Sequence, residues 1–547
     1  MSSGALATVI LRSTGPKAPW RGILRRYLML SVAAAAAFLV GLGNVVWGVE
    51  VRVDCSSRLA PGAPGGGTIR ALHGVNNGPV NYGQTIDLSA YYRELKIPLA
   101  RLHDSEWPNP DVVDIHAIFP DLNSDPALAG NYRFSRTDDY IKAIVDTGAR
   151  IVYRLGESIE MTQKKYNVAP PSDYEKWTGA CIGIIRHYNE GWADGFRYAI
   201  PYWEIWNEPE NRPNMWTGSD EDYYRLYATA AKAIKARFPE IKVGGPSIGA
   251  PGELARQSTG GLVEAQGAER ERLKPTAFLQ GFLDFCKKSS VPLDFFSWHT
   301  YSDNPYVFAQ KARAVRRLLD EYGFSMTENH LNEWNYLPDN DWAPMSLSGQ
   351  GLVRQRWYEK MGGAHGAAFV VCTLIYLQDS PVDVANFYSG DTNQFGLFNR
   401  YGAPKKTFYA MKAFVALLDT PVRVKASGSK PADAWAGKPG DMAVCAGINQ
   451  AGTEAAILVG NFRCEEKDLQ LSIEHLPWRG DVQWEIFRID SSHDLECVRS
   501  GSVAVEAQGL AGEIRFTEPL EAPCVLLVRL HKTPTPPGPK AGQAVGE

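Results

Sequence analysis

Trp203-Glu204-Ile205-Trp206-Asn207-Glu208-Pro209-Glu210 decides how the rest of the chain is read. It continues the apolar run Tyr198-Ala199-Ile200-Pro201-Tyr202, which predicts a short buried strand ending in a carboxylate. Pro209 has no N–H for a sheet ladder and disfavours helix at Glu208, so the strand stops there. A carboxylate at the C-terminal tip of a parallel strand is where a β/α barrel places its chemistry.

Outward from this stretch, strand and helix patterns alternate. Strands are predicted over 71–76, 99–103, 151–155, 241–246, 295–299 and from 331, with an eighth beginning at Ala367-Ala368-Phe369-Val370-Val371 and running toward Asp379. Between them lie helix patterns, among them 172–188 with a cap at Ser172, and 219–237. There Ser219-Asp220-Glu221-Asp222 carries a capping-box signature. Eight strand signals with helices between them predict an α/β fold, a (β/α)8 TIM barrel over 65–418. After about 420 the texture changes to runs such as Val482-Gln483-Trp484-Glu485-Ile486, which predict a C-terminal antiparallel β-sandwich domain over 419–532. Residues 49–64 read as a strand and linker joining that sandwich, and 533–547 as a Pro-rich tail that does not pack.

The ends and the composition bound the rest. Residues 1–26 are basic and free of acid, and 27–47 are apolar, so residues 1–48 read as a signal peptide or an N-terminal membrane anchor. Either one predicts export, to the outside of the cell, the periplasm or the outer face of a membrane. A net charge of −4 implies no general affinity for nucleic acid. The eight cysteines form no CxxC and no His cluster accompanies them, which argues against structural zinc. Cys181, Cys286 and Cys372 read as buried thiols, and a disulfide among Cys445, Cys464, Cys497 and Cys524 is open. Nothing in the sequence implies a cofactor or sets the oligomeric state.

A second carboxylate appears at Leu331-Asn332-Glu333-Trp334-Asn335-Tyr336, about three βα units beyond the first. Paired carboxylates across a sugar-sized cleft are the equipment of glycoside hydrolysis. Trp206-Asn207-Glu208-Pro209 at the fourth strand, His299-Thr300-Tyr301 at the sixth and Glu333 at the seventh resemble the retaining glycoside hydrolases of clan A. Within that clan the chain most resembles family 39, the β-xylosidase and α-L-iduronidase family, over residues 65–415. The resemblance implies hydrolysis of an oligo- or polysaccharide through a covalent glycosyl-enzyme, with Glu208 as acid/base and Glu333 as nucleophile.

It also implies a set of substrate-binding residues. Asn207 would hold the sugar 2-hydroxyl, and Arg101 would keep Glu333 ionised. Tyr301 would donate to the nucleophile, and His299 would bind the sugar or orient the acid/base. His73 and Asp379 would bind sugar hydroxyls, and Glu157 would line the same mouth. Trp203 or Trp206 is expected to shield Glu208. Glu204, Glu210 and Glu328 are competing carboxylates, the last expected in the loop before its strand. Iduronidase-like members carry a lysine where this chain has Tyr301, so the resemblance is to the xylosidases. Tyr376-Leu377-Gln378-Asp379 is read as the end of the eighth strand, with no tryptophan there. The competing reading is a non-catalytic carbohydrate-binding or envelope scaffold protein with the same barrel.

Overall fold

The computed structural model describes residues 48–60, 66–256, 271–346, 349–432, 441–505 and 513–533. The apolar run over 27–47 and the tail from 534 lie outside the described residues. Eight strands close into a barrel. They are β1 (Gly74–Asn76), β2 (Leu99–Arg101), β3 (Arg150–Leu155), β4 (Tyr202–Ile205), β5 (Lys242–Ile248), β6 (Phe295–Ser302), β7 (Glu328–Tyr336) and β8 (Val384–Phe387). Each pairs in parallel with the next, and β8 returns to β1. Every residue of β4 is buried, as expected of a parallel strand covered on both faces.

The predicted eighth strand is a correction. Residues 367–371 lie in the helix Ala364–Leu377, and the barrel closes instead through the four-residue β8. The helix is buried from Gly366 to Leu377. Phe369 stacks on Tyr336 of β7 at 4.8 Å, while the Tyr376 hydroxyl donates to Met442 O of the sandwich at 2.9 Å. A helix covered on all sides shows no apolar stripe, so its sequence reads as a buried strand. A smaller correction concerns the helix Tyr174–Asn189. Asp173, not Ser172, caps it, accepting from Glu175 N and Lys176 N at 3.0 Å each. The capping box at Ser219 and Asp222 is present on Asp220–Arg237.

The sandwich is a nine-stranded sheet folded over one core, which gathers Val51, Leu471 and Phe516 with Val444, Ile457 and Leu526. Strand Gly48–Arg58 runs antiparallel to Val422–Ser427 but parallel to Asp468–Glu474, so one pair departs from the antiparallel expectation. All eight cysteines are free and only Cys497 is exposed. Among the described residues no single helix is long and apolar enough to cross a membrane.

Candidate active site

The site begins where β4 ends. Trp206 and Glu208 both take left-handed backbone, with φ of 69° and 42°. Each such non-glycine residue costs on the order of 1–3 kcal/mol and persists only where its surroundings impose it. Here Trp206 N donates to Leu155 O at 2.7 Å, and Glu208 N to Ser247 O at 3.0 Å. The Trp206 indole donates to Met215 O at 2.7 Å and packs against Trp177 and Trp216. Trp203 stacks on Tyr153 at 4.9 Å. Trp206 therefore anchors the turn, while Trp203 packs within β4. Gly249 lies under the Glu208 carboxylate: a Cβ there would stand 2.6 Å from Oε1 and displace the carboxylate from its present position.

Across the mouth, Glu333 accepts from the Tyr301 hydroxyl at 2.6 Å and from Arg101 Nη1 at 3.2 Å. Carboxylate oxygens of Glu208 and Glu333 and a ring nitrogen of His299 lie within 4.8 Å of one another. Arg101 is fully buried and saturated. Its Nε donates to Glu204 Oε2 at 2.7 Å, Nη2 to Asn207 Oδ1 and Ser247 Oγ at 2.6 Å each, and Nη1 also to Asn76 Oδ1 at 2.9 Å. Glu204 is thus the buried counter-charge of Arg101 and leaves the competition for the site. Asn207 spends its oxygen on Arg101 and Ser247 and meets His103 Nε2 at 3.3 Å through Nδ2.

His299 uses both nitrogens inside the protein. Nδ1 meets Glu208 Oε1 at 2.8 Å and Nε2 meets Ser247 Oγ at 2.8 Å, so the ring orients Glu208 and has no nitrogen left for a sugar. Burial works to lower the basicity of this ring, but Glu333 and Glu208 beside it hold its pKa above the ordinary value. For Glu208, burial pushes the pKa up, and the hydrogen bond and charge of His299, with Asn211 at 2.9 Å, turn the balance below the usual value. Opposed shifts across one 2.8 Å contact mean that the two groups titrate as a pair. Glu210 lies on the other side of Gly249, where burial and the Glu208 charge push it up to about 7.

Two expected sugar ligands lie elsewhere. His73 precedes β1 and so sits at the barrel end opposite the mouth, buried, with Nε2 on Leu95 O at 3.1 Å and its ring against Phe414. Asp379 follows the helix Ala364–Leu377 and pairs with Arg423 at 2.9 Å, again ahead of β8. Both corrections follow from strand boundaries: β1 starts later than predicted, and the helix was taken for β8. Glu328, expected in a loop, is the first residue of β7, bound to Lys242 and His330. Glu157 is buried behind the mouth, pushed up to about 7 by burial and bonded to His116 at 2.5 Å.

Several residues near the carboxylates went unpredicted. His103 stands two residues beyond Arg101, and the alternation of a strand was the signal for it. Ser247 lies one residue past the predicted end of β5. Tyr388, not Tyr376, follows β8, and its ring lies near His103 and Phe395. Trp342, after β7, is 43% exposed and meets Tyr301 edge-on at 5.0 Å.

Among the described residues, two side-chain groups come close enough to close on a cation, Glu208–His299–Glu333 and Glu106–Asp114–His116. Arg101 on Glu333 and Arg154 on Asp114 place a fixed positive charge at each, which disfavours a metal.

A model of the family described as "Glycosyl hydrolases family 39" matches residues 112–431. A beta-xylosidase of Geobacillus stearothermophilus is 29% identical over 282 residues, 47% of this chain and 49% of that protein. A beta-xylosidase of Caldicellulosiruptor saccharolyticus is 25% identical over 344 residues, 56% and 61% of the two chains. The chain thus spans about half the length of the curated relatives it matches. Among solved structures, a glucosidase from Croceicoccus marinus aligns over 89% of this chain and 100% of its own, with a TM-score of 0.68 and 25% identity.

Proposed function

The chain belongs to glycosyl hydrolase family 39, and from that premise we propose that it is a retaining β-glycosidase acting on xylosides. The observation that carries the reading is the pair of carboxylates at the barrel mouth, with oxygens within 4.8 Å. Retaining enzymes hold their two carboxyl groups about 5–5.5 Å apart, while inverting ones leave room for a water between them. Glu333, hydrogen-bonded by Tyr301 and Arg101, is the nucleophile that attacks the anomeric carbon. Glu208, backed by His299, gives its proton to the leaving oxygen, then takes one from the water that releases the sugar. Asn207, its oxygen fixed by Arg101, turns an amide N–H toward the sugar 2-hydroxyl, a contact that strengthens as positive charge develops.

The xyloside reading has two supports. Both curated relatives are beta-xylosidases. Tyr301 is spent on the nucleophile at the position where a uronic acid would need a cation. The basic, apolar start supports an exported enzyme, checked by fractionating cells that express the full chain. The test of mechanism is Glu333→Ala with added azide. Recovery of turnover, with a glycosyl azide of inverted anomeric configuration, supports the assignment, and unchanged hydrolysis in the variant ends it. A panel of nitrophenyl glycosides tests the sugar: the highest kcat/KM is expected on the β-xyloside. A higher value on the β-glucoside would replace xylose by glucose, in line with the likeness to the Croceicoccus glucosidase.

A further inference from the structure

We propose that Ser247 is the positioning residue of the acid/base: its hydroxyl dictates which nitrogen of His299 carries the fixed proton, and so keeps a transferable proton between His299 and Glu208. The inference rests on Glu208 being the acid/base of the proposed reaction.

The argument is an inventory of one hydroxyl hydrogen. Ser247 Oγ has four polar neighbours: Arg101 Nη2 at 2.6 Å, His299 Nε2 at 2.8 Å, Asn207 Oδ1 at 2.9 Å and Asn332 Nδ2 at 3.1 Å. The arginine and the Asn332 amide are donors only at these atoms. Asn207 Oδ1 is an acceptor, and its orientation is not free, because Arg101 Nη2 also donates to it at 2.6 Å. The hydroxyl hydrogen therefore goes to Asn207. Turned toward His299, it would leave two oxygens facing each other with no hydrogen between them. With that hydrogen spent, Nε2 must donate, so Nε2–H is fixed on Ser247. The oxygen then has more donors than lone pairs, and the Asn332 amide, which also donates to Glu204, yields first.

The consequence falls on the other side of the ring. Nδ1 faces Glu208 Oε1 at 2.8 Å, and one proton fits between them. If that proton leaves, a bare Nδ1 lone pair is left against a carboxylate, because the remaining hydrogen is held on Nε2. Loss of the proton is therefore unfavourable, and the pair keeps it to higher pH than a free tautomer would. Without the serine hydroxyl the neutral ring can turn its hydrogen onto Nδ1, stabilise the Glu208 carboxylate and let the acid proton go. The charged and titratable groups that face this pair are Glu210 beside Glu208, Glu333 on β7 at 3.6 Å from Nε2, Tyr301 on β6 with its hydroxyl on Glu333, and Arg101 and His103 from the β2 side. None of them donates or accepts at Nδ1. Backbone geometry supports the role: Ser247 takes φ of 56°, and its carbonyl holds Glu208 N.

The experiment begins with the wild-type full chain and no substrate. In histidine-labelled protein, the ¹⁵N shifts of His299, assigned by their loss in His299→Asn, report the tautomer. A protonated Nε2 is expected above the pH at which the pair loses its proton, and a bare Nε2 with protonated Nδ1 overturns the proposal. Because no glycoside is involved, this outcome is distinct from failure of the hydrolase reading. The variant is Ser247→Ala. The alkaline limb of kcat/KM on an alkyl or nitrophenyl β-xyloside should move to lower pH by about 1 unit. The kcat/KM on a 2,4-dinitrophenyl β-xyloside, which reports the step whose leaving group needs no proton, should show no such shift of its alkaline limb. An unmoved limb, or an equal loss on both substrates at every pH, overturns it. Should the variant fail to fold, the wild-type shifts still decide.

Discussion

Strand β7 begins at Glu328 and carries Glu333 in its C-terminal half, toward the mouth, and the two ends of the barrel use the same residue types differently. At the N-terminal end, Glu328 binds Lys242 and, at 3.0 Å, His330. Burial raises its pKa, but those two partners more than reverse it and bring it down to about 2. There the two partners together hold Glu328 as a carboxylate. At the mouth, one arginine serves both Glu204 and Glu333, while Glu208 faces the titratable ring of His299 at 2.8 Å. A carboxylate, a histidine and a cation therefore do not mark a site by themselves. The mark is an unequal distribution of protons and charges among groups that face each other.

The contrast breaks first on activity. Glu208→Gln should lower kcat/KM on an alkyl xyloside by about 10³-fold, the scale of a lost general acid, while Glu328→Gln should leave it within about twofold. A comparable loss in both variants would erase the distinction between the two ends. Stability provides the next test. Arg101→Met strands Glu204 and Glu333 in the interior and should cost about 3–5 kcal/mol in urea unfolding. Lys242→Met, at a half-exposed pair, should cost about 1 kcal/mol or less.

Acid titration sharpens the comparison at the lower end. The folded pKa of Glu328, about 2, lies below its ordinary 4.5. The stability it contributes is complete above the unfolded value and is lost as pH falls through the folded one. Solvent screening reduces this to on the order of 1–2 kcal/mol. Between about pH 4.5 and pH 2, wild type should therefore lose that much more stability than Glu328→Gln, measured as the difference in urea midpoints at each pH.

Legibility followed the same division. Glu208 and Glu333 could be read because each follows an apolar strand run and is flanked by polar and aromatic residues, a pattern that depends on local order alone. Pairings across the barrel interior could not. The sequence offered Arg101 to Glu333, yet the fully buried bridge is to Glu204, and only barrel closure brings β2 and β4 to that contact. His73 was misplaced by a small error with a large consequence, since a strand boundary shifted by three residues moves a side chain from one end of a barrel to the other, and Asp379 was misplaced because a helix was taken for the eighth strand. The helix Ala364–Leu377 was illegible for a further reason: packing between barrel and sandwich buries all its faces and removes the periodicity that identifies a helix. Ser247 was hidden because the predicted strand ended at 246, and because a serine's importance lies in what it bonds rather than in any pattern of spacing.

The smallest predicted effect concerns aromatic surface. Most large tryptophans here are consumed by packing, and Trp203, Trp298 and Trp334 are fully buried. Trp342 is 43% exposed at the mouth, edge-on to Tyr301 at 5.0 Å and 6.2 Å from Phe395. Since Tyr301 donates to Glu333, a glycoside placed on that carboxylate under the proposed function would come near the exposed indole. An indole packed on the apolar face of a sugar contributes about 0.5–1.5 kcal/mol, equivalent to about a two- to tenfold change in binding. That contact is made equally in the bound and the transition state, so Trp342→Ala should raise KM by about that factor and leave kcat unchanged. The urea midpoint should also hold, because the side chain seals no core. A fall in kcat without a change in KM would mean that Trp342 acts by holding Tyr301 on the nucleophile. The aromatic rim would then belong to the same proton and charge arrangement as Arg101 and His299, and the boundary between the reactive mouth and its surface would lie further out.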